Sequence, residues 1–462
     1  MKLRLRQGAV NKASHALFLE TTIDPLYHIS PAHPVALRTA QCASLLLFLL
    51  PALALTTHHG VGAIEAVLLI AGGAYAMPLW RQRRAQSPQA PQPHLLDDAG
   101  IITLAFLFNL VVALLSMAST GFDPRFLENP AKMLVAVLAT GLVMLLRPAP
   151  RVLWAGLLAG TVGAAGFAVY QRFGLNMARA EGFSMPITFG DLAMSMGLMS
   201  LAAIGQGYWR RGAALPYLAF FAGVVASILS GARGGWLALL LSFVPMWSYG
   251  RHTLGRRAIA TVAVILLALA AVAALPQTGV RQRITDVGRE LTQYNHGNPD
   301  SSVGARLEMW KGAWTMFVEH PLTGVGRANF NIGLKQLVAR GSVDPAMSEY
   351  RHAHNEMLNA LATQGLIGAL ALLAVYAAPL LFFTRALRHP GRHRPYALAG
   401  ILLVISYIDF GLTQVMFAHH VGASFYALMV CTLAGSCLLE RRCAAQAAGI
   451  TATAPAAVLV QT

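Results

Sequence analysis

Two histidines one residue apart, His352 and His354, stand in the stretch Y-R-H-A-H-N-E just before a long apolar run. A neutral imidazole is a general base near pH 7. His354 lies nearer the start of the helix that this run would form. Unpaired backbone N–H groups there disfavour imidazolium. Asn355 is suited to cap the same helix. His354 is therefore the expected base. His352 reads as a second acid/base group or as an ordinary loop residue, and the latter is favoured.

The cationic candidates are arginines. Arg233 sits in S-G-A-R-G-G-W, where two apolar runs meet. An arginine at that depth either snorkels to the interface or meets an anion. The flanking glycines favour the anion, because they let a bulky group approach the backbone. Arg306 lies in S-S-V-G-A-R-L-E-M-W-K-G-A-W, in the first turns of an expected helix. A cation there opposes the helix dipole and points weakly to an anionic partner. A solvated face, or a pair with Glu308 or Asp300, is the alternative. No DxD, HExxH, P-loop or plausibly placed GxSxG motif occurs, and Asp97-Asp98 falls on the opposite side. Neither a divalent metal nor a cofactor is expected, so cationic side chains must stabilise any phosphate charge.

The elements that hold these residues are membrane helices. The chain has 462 residues, 56% hydrophobic and 12% charged, with mean hydropathy +0.55. Soluble domains carry about 25% charged residues. The apolar residues form runs of about 20, the length of a transmembrane helix, not the alternating strands of a barrel. The expected fold is an all-α polytopic membrane protein of about 12 transmembrane helices. These lie near 37–55, 60–80, 99–119, 131–146, 151–171, 187–207, 214–230, 234–249, 258–275, 357–384, 397–415 and 421–439. Residues 1–36 and 440–462 are expected as cytoplasmic tails, 37–275 as spans 1–9, 276–356 as one large periplasmic loop and 357–439 as spans 10–12.

Charge sets the orientation. RQRR (81–84), WRR (209–211), GRHTLGRR (250–257) and TRALRHPGRHR (384–394) fall on the side that also holds both tails. Lys and Arg mark the cytoplasmic side, and long translocated loops are largely exempt. This explains the net charge of +16 without nucleic acid. Within 276–356, Leu307, Trp310, Trp314, Phe317 and Val318 share one face of a helix from Gly304 to His320. Such a helix lies at the interface or against the bundle. Cys42, Cys431, Cys437 and Cys443 form no CxxC pair and no disulfide framework. A transporter or flippase is the rival from another class. Its usual mark is paired broken helices or repeats with midplane charges, and here the midplanes are almost uncharged, apart from Glu65, Asp191 and Asp409.

S-G-A-R-G-G-W-L-A (230–238), R-L-E-M-W-K-G-A-W-T-M-F-V-E-H-P-L-T-G-V-G (306–326) and H-A-H-N-E-M-L-N-A-L-A-T-Q-G-L-I-G (352–368) occur in that order. A weaker echo is Y-Q-R-F-G…A-R-A-E-G-F (170–183). Together they resemble the motifs of the O-antigen ligase and polymerase superfamily, and most of all those of the lipopolysaccharide O-antigen ligases. The resemblance implies a bacterial inner-membrane glycosyltransferase with a periplasmic active site. Its donor would be an O-antigen glycan on undecaprenyl diphosphate, and its acceptor a sugar hydroxyl of lipid A–core. The resemblance casts His354 as the general base and Arg233 and Arg306 as diphosphate ligands, with Arg179 a weaker addition. One base without a carboxylate nucleophile implies inversion. An O-antigen polymerase or a protein O-oligosaccharyltransferase would use the same donor.

Overall fold

A computed structural model describes residues 34–85, 99–204, 214–232, 234–253, 280–296 and 298–453, with a few isolated positions between 259 and 270. Among the described residues the chain is helical and has no strand. The helices are α1 (Pro34–Leu53), α2 (Gly60–Ala85), α3 (Gly100–Thr120), α4 (Glu128–Leu146), α5 (Arg151–Val169), α6 (Pro186–Ser200) and α7 (Leu215–Ser230). They continue as α8 (Trp236–Thr253), α9 (Val280–Asn295), α10 (Ser302–Glu319), α11 (Phe330–Ala339), α12 (Glu356–Arg388), α13 (Arg394–Gly411) and α14 (His420–Thr453). Seven are long and apolar enough to cross a membrane, and four more are apolar but shorter. Together they match every expected span except 258–275, which falls largely outside the described residues.

Burial sorts these helices into layers. The spans at Pro186–Ala203, Arg394–Gly411 and His420–Gln446 are 83–89% buried, against 33–39% for Gly100–Ala118 and Glu128–Leu146. The first group forms the centre and the second faces outward. The central helices α6 and α13 are the less apolar ones, because their polar side chains meet protein and not lipid. Close approach is bought with small residues. On α5, Gly156 and Gly160 lie one turn apart, and a Cβ at either would overlap the backbone carbonyls of Phe48 and Pro51 on α1.

Residues 298–355 form a separate cap with its own core. Met309, Ala313 and Met316 of α10 meet Phe330, Leu334 and Leu337 of α11, with Val343, Met347 and Ala353 closing the cluster. Ser301 caps α10 by accepting from Gly304 N at 3.0 Å. The expected helix from Gly304 to His320 is thus present, two residues longer at its start. Buried Glu308 ties the cap together. It accepts from Tyr294 Oη at 2.7 Å and from Asp344 N at 3.0 Å.

The cap joins the bundle at a break in α12. Gly365 has φ 64° and ψ −157° inside that helix. The turn H-P-L-T-G-V-G (320–326) inserts there. Leu366 N donates to Pro321 O at 2.8 Å, Val325 N to Ala362 O and Gly326 N to Thr363 O, both at 2.9 Å. Backbone groups freed by the break are thereby satisfied inside protein, which is what a membrane requires of irregular backbone. A Cβ at Gly365 would overlap the Leu322 carbonyl. The expected span 357–384 is therefore two helices. The second, about 34 Å long at 1.5 Å per residue, is by itself long enough to span the bilayer.

Candidate active site

His354 occupies a left-handed conformation, φ 47°, which costs a non-glycine residue about 1–2 kcal/mol. Three contacts hold it there. His354 N donates to His352 Nδ1 at 3.3 Å. Trp310 Nε1, on α10, donates to Ala353 O at 3.0 Å. Asn355 caps α12, its Oδ1 accepting from Leu358 N at 3.0 Å while its Nδ2 donates to Leu412 O at 3.2 Å. The cap expected of Asn355 is thus present. His352 supports the turn, a role the sequence did not reveal.

Arg306 lies one turn before Trp310 on α10. The helix register that brings Trp310 to Ala353 therefore brings Arg306 toward His354. Both line a cavity of about 860 Å³, together with Ser301, Asp344 and Tyr350. Glu308, on the same helix, is engaged by Tyr294, by Asp344 N and by Lys311 at 3.5 Å.

Burial lowers the His354 pKa below the ordinary histidine value of 6.5, and the Arg306 charge lowers it further. Gln414 acts in the opposite direction. The helix terminus was the expected cause, but burial and Arg306 are the larger ones. The Nδ1 of His354 is buried and makes no hydrogen bond, which is unusual for a buried polar atom. His352 is held down to about 3, by burial first and then by His354 and His419. The rings of His352 and His354 are 4.2 Å apart and those of His352 and His419 6.2 Å.

The loop between α13 and α14 was missed as a functional element. It is a hub. Leu412 O holds Asn355, Gln414 lies beside His354 and Phe417 N donates to Glu356 Oε2 at 3.1 Å. A Cβ at Gly234 would sit 2.6 Å from Thr413 Oγ1, so the same loop also covers the start of α8. The only sequence signal was the polar residues Gln414, His419 and His420 between two apolar runs.

Arg233 lies outside the described residues, but its neighbours are placed. Gly231 ends α7 in a left-handed turn, φ 66°. Asp409 on α13 caps the start of α8 by accepting from Ala238 N at 2.7 Å. Asp191 on α6 lies beside Gly235. Arg179 reaches this turn, its Nε donating to Ser230 O at 2.7 Å. Its loop is pinned by buried Gln171, whose Oε1 accepts from Gly182 N at 2.9 Å and whose Nε2 donates to Gly182 O at 3.1 Å. The structure therefore brings Arg306 to His354, and Arg179 to the turn that carries Arg233. The 412–419 loop touches both places.

Residues 218–373 match a family model described as O-antigen ligase. The match runs from α7 through the break in α12 and includes Arg306, Trp310 and both histidines. The chain is 25% identical over 350 residues to an uncharacterized protein of Haemophilus influenzae, covering 72% of this chain and 86% of that one. It is 23% identical over 158 residues to the O-antigen ligase of Escherichia coli K12, covering 34% of this chain and 36% of that protein.

Proposed function

We propose that this chain is a glycan ligase, since residues 218–373 match the O-antigen ligase family model. It transfers O-antigen from undecaprenyl diphosphate to a sugar hydroxyl of lipid A–core on the periplasmic face of the inner membrane. The observation that carries this reading is His354, its pKa lowered by burial and by Arg306, lining one cavity with Arg306.

The steps follow from where charge moves. The acceptor hydroxyl oxygen attacks the anomeric carbon, and its proton passes to the His354 imidazole. The bond from that carbon to the diphosphate oxygen breaks, and the electron pair leaves with undecaprenyl diphosphate. Arg306, with Arg233 and Arg179, stabilises the charge that builds on the departing phosphate. A single displacement inverts the anomeric centre. The phosphate linkage of the donor supplies the driving force, so neither ATP nor a metal is required.

A deletion strain tests the reading. Lipopolysaccharide without O-antigen, with lipid-linked polymer accumulating, is the expected result. Lipopolysaccharide carrying single repeats would instead mean a polymerase. Unchanged lipopolysaccharide with underglycosylated protein would mean an oligosaccharyltransferase.

A further inference from the structure

A second cavity lies on the other side of the histidine pair. It measures about 990 Å³ and runs between α3, α4 and α12. His352 and His419 line it, whereas His354 lines the Arg306 cavity. Its lining is mixed: Met133, Leu372 and Val375 are apolar, Arg125, Arg327 and Arg351 are cationic, and Asp123 and Glu356 are acidic. Three arginines beside apolar side chains fit an amphiphile whose headgroup is anionic.

The three arginines are not equivalent. Arg125 is bound to Asp123, with Nη2 to Oδ2 at 2.7 Å. Arg327 and Arg351 close no ion pair among the described residues. Arg327 is half-buried. Burial pushes its guanidinium down to about 10, with Glu356 opposing. Glu356 lines the same cavity and attracts it without closing an ion pair, which leaves the donors of this partly desolvated guanidinium to an incoming anion. Its backbone is fixed, since Arg327 N donates to Ser116 Oγ on α3 at 3.2 Å. Neither Arg327 nor Arg351 has a role in the transfer step described above.

We infer that this cleft binds a phosphate-bearing lipid headgroup through Arg327 and Arg351, and that the lipid is the acceptor. The assignment to the acceptor rests on the proposed transfer, in which Arg306 holds the donor diphosphate on the far side of the histidines. An acceptor entering past His352 would bring its hydroxyl to His354 from the side opposite the leaving group, as inversion requires.

The test uses the full-length protein in lipid nanodiscs and two probes, bisphosphorylated lipid A and undecaprenyl diphosphate. Arg327→Gln and Arg351→Gln should each weaken lipid A binding about tenfold and leave undecaprenyl diphosphate binding unchanged. Lipid A stripped of its phosphates should bind the wild type as weakly as the intact lipid binds the variants. In transfer assays the acceptor KM should rise while kcat at saturating acceptor is kept. Loss of undecaprenyl diphosphate binding instead would overturn the acceptor assignment and make the cleft a donor site. Unchanged binding of both lipids would overturn the anion site. Wild type that binds lipid A through these arginines but transfers nothing would refute the proposed ligase activity and leave the site standing. Arg351 is exposed, so its variant carries the test even where Arg327→Gln fails to fold.

Discussion

His354 combines a strained backbone with an unpartnered ring nitrogen. The base role predicts that His354→Ala loses about 10²–10⁴-fold in transfer rate while donor binding is kept, measured with radiolabelled lipid-linked glycan and purified enzyme. His352→Ala should lose far less, because its ring only supports the turn. An inactive His352→Ala beside an active His354→Ala would reverse the assignment. His354→Gly should be as inactive as the alanine variant yet melt no lower in detergent, since glycine adopts φ 47° without cost. The lowered pKa gives the pH dependence its sign. A base works neutral, so the acid limb of the rate should lie below pH 6.5. Arg306→Ala removes a charge that opposes protonation, so the limb of its residual activity should move up. Arg306→Lys should keep the limb low and recover transfer only in part, because lysine lacks the bidentate fork. An unmoved limb in Arg306→Ala would mean that the two side chains do not sense each other. His354 and Arg306 could be singled out as candidates in the sequence because each sits in a local motif. Gln414, His419, Arg327 and Trp310 could not, because their roles arise from contacts across the fold.

At the scale of elements, the spans were readable because an apolar run of sufficient length has few alternatives in a bilayer. The break in α12 was not readable. It depends on hydrogen bonds from residues 321–326, which lie well upstream, and Gly365 alone looks like any glycine in a membrane helix. Gly365→Ala should therefore be damaging. It meets both a left-handed φ and the Leu322 carbonyl, and about 3 kcal/mol or more is expected. The measurement is the thermal midpoint in detergent, with transfer activity alongside. A midpoint equal to wild type would mean that the helix heals and the turn at 320–326 is not held there. Gly73, where a Cβ would meet nothing within 4 Å, supplies the control substitution.

For the whole molecule, orientation decides the face of the membrane on which the site opens. A chain with Cys42, Cys431, Cys437 and Cys443 replaced and a single cysteine at Asn298 should react with an impermeant maleimide while the inner membrane is intact. A single cysteine at Ser87 should react only after that membrane is opened. The reverse pattern would invert the topology and move the site to the cytoplasm. Transfer should persist in EDTA, and a strict need for Mg²⁺ would count against arginines as the sole phosphate ligands.

The exchange of backbone hydrogen bonds between 321–326 and 362–367 also bears on chain continuity. Both ends of the stretch from Arg327 to Leu361 are tied at one place, and the α10–α11 core adds a second tie. The turn at Gly341 is exposed, with φ 68°. A protease site inserted there should be cut without loss of function. The two fragments should co-purify in mild detergent and transfer glycan at the uncut rate. The peptide bond at that turn is then needed to fold the protein and not to keep it assembled.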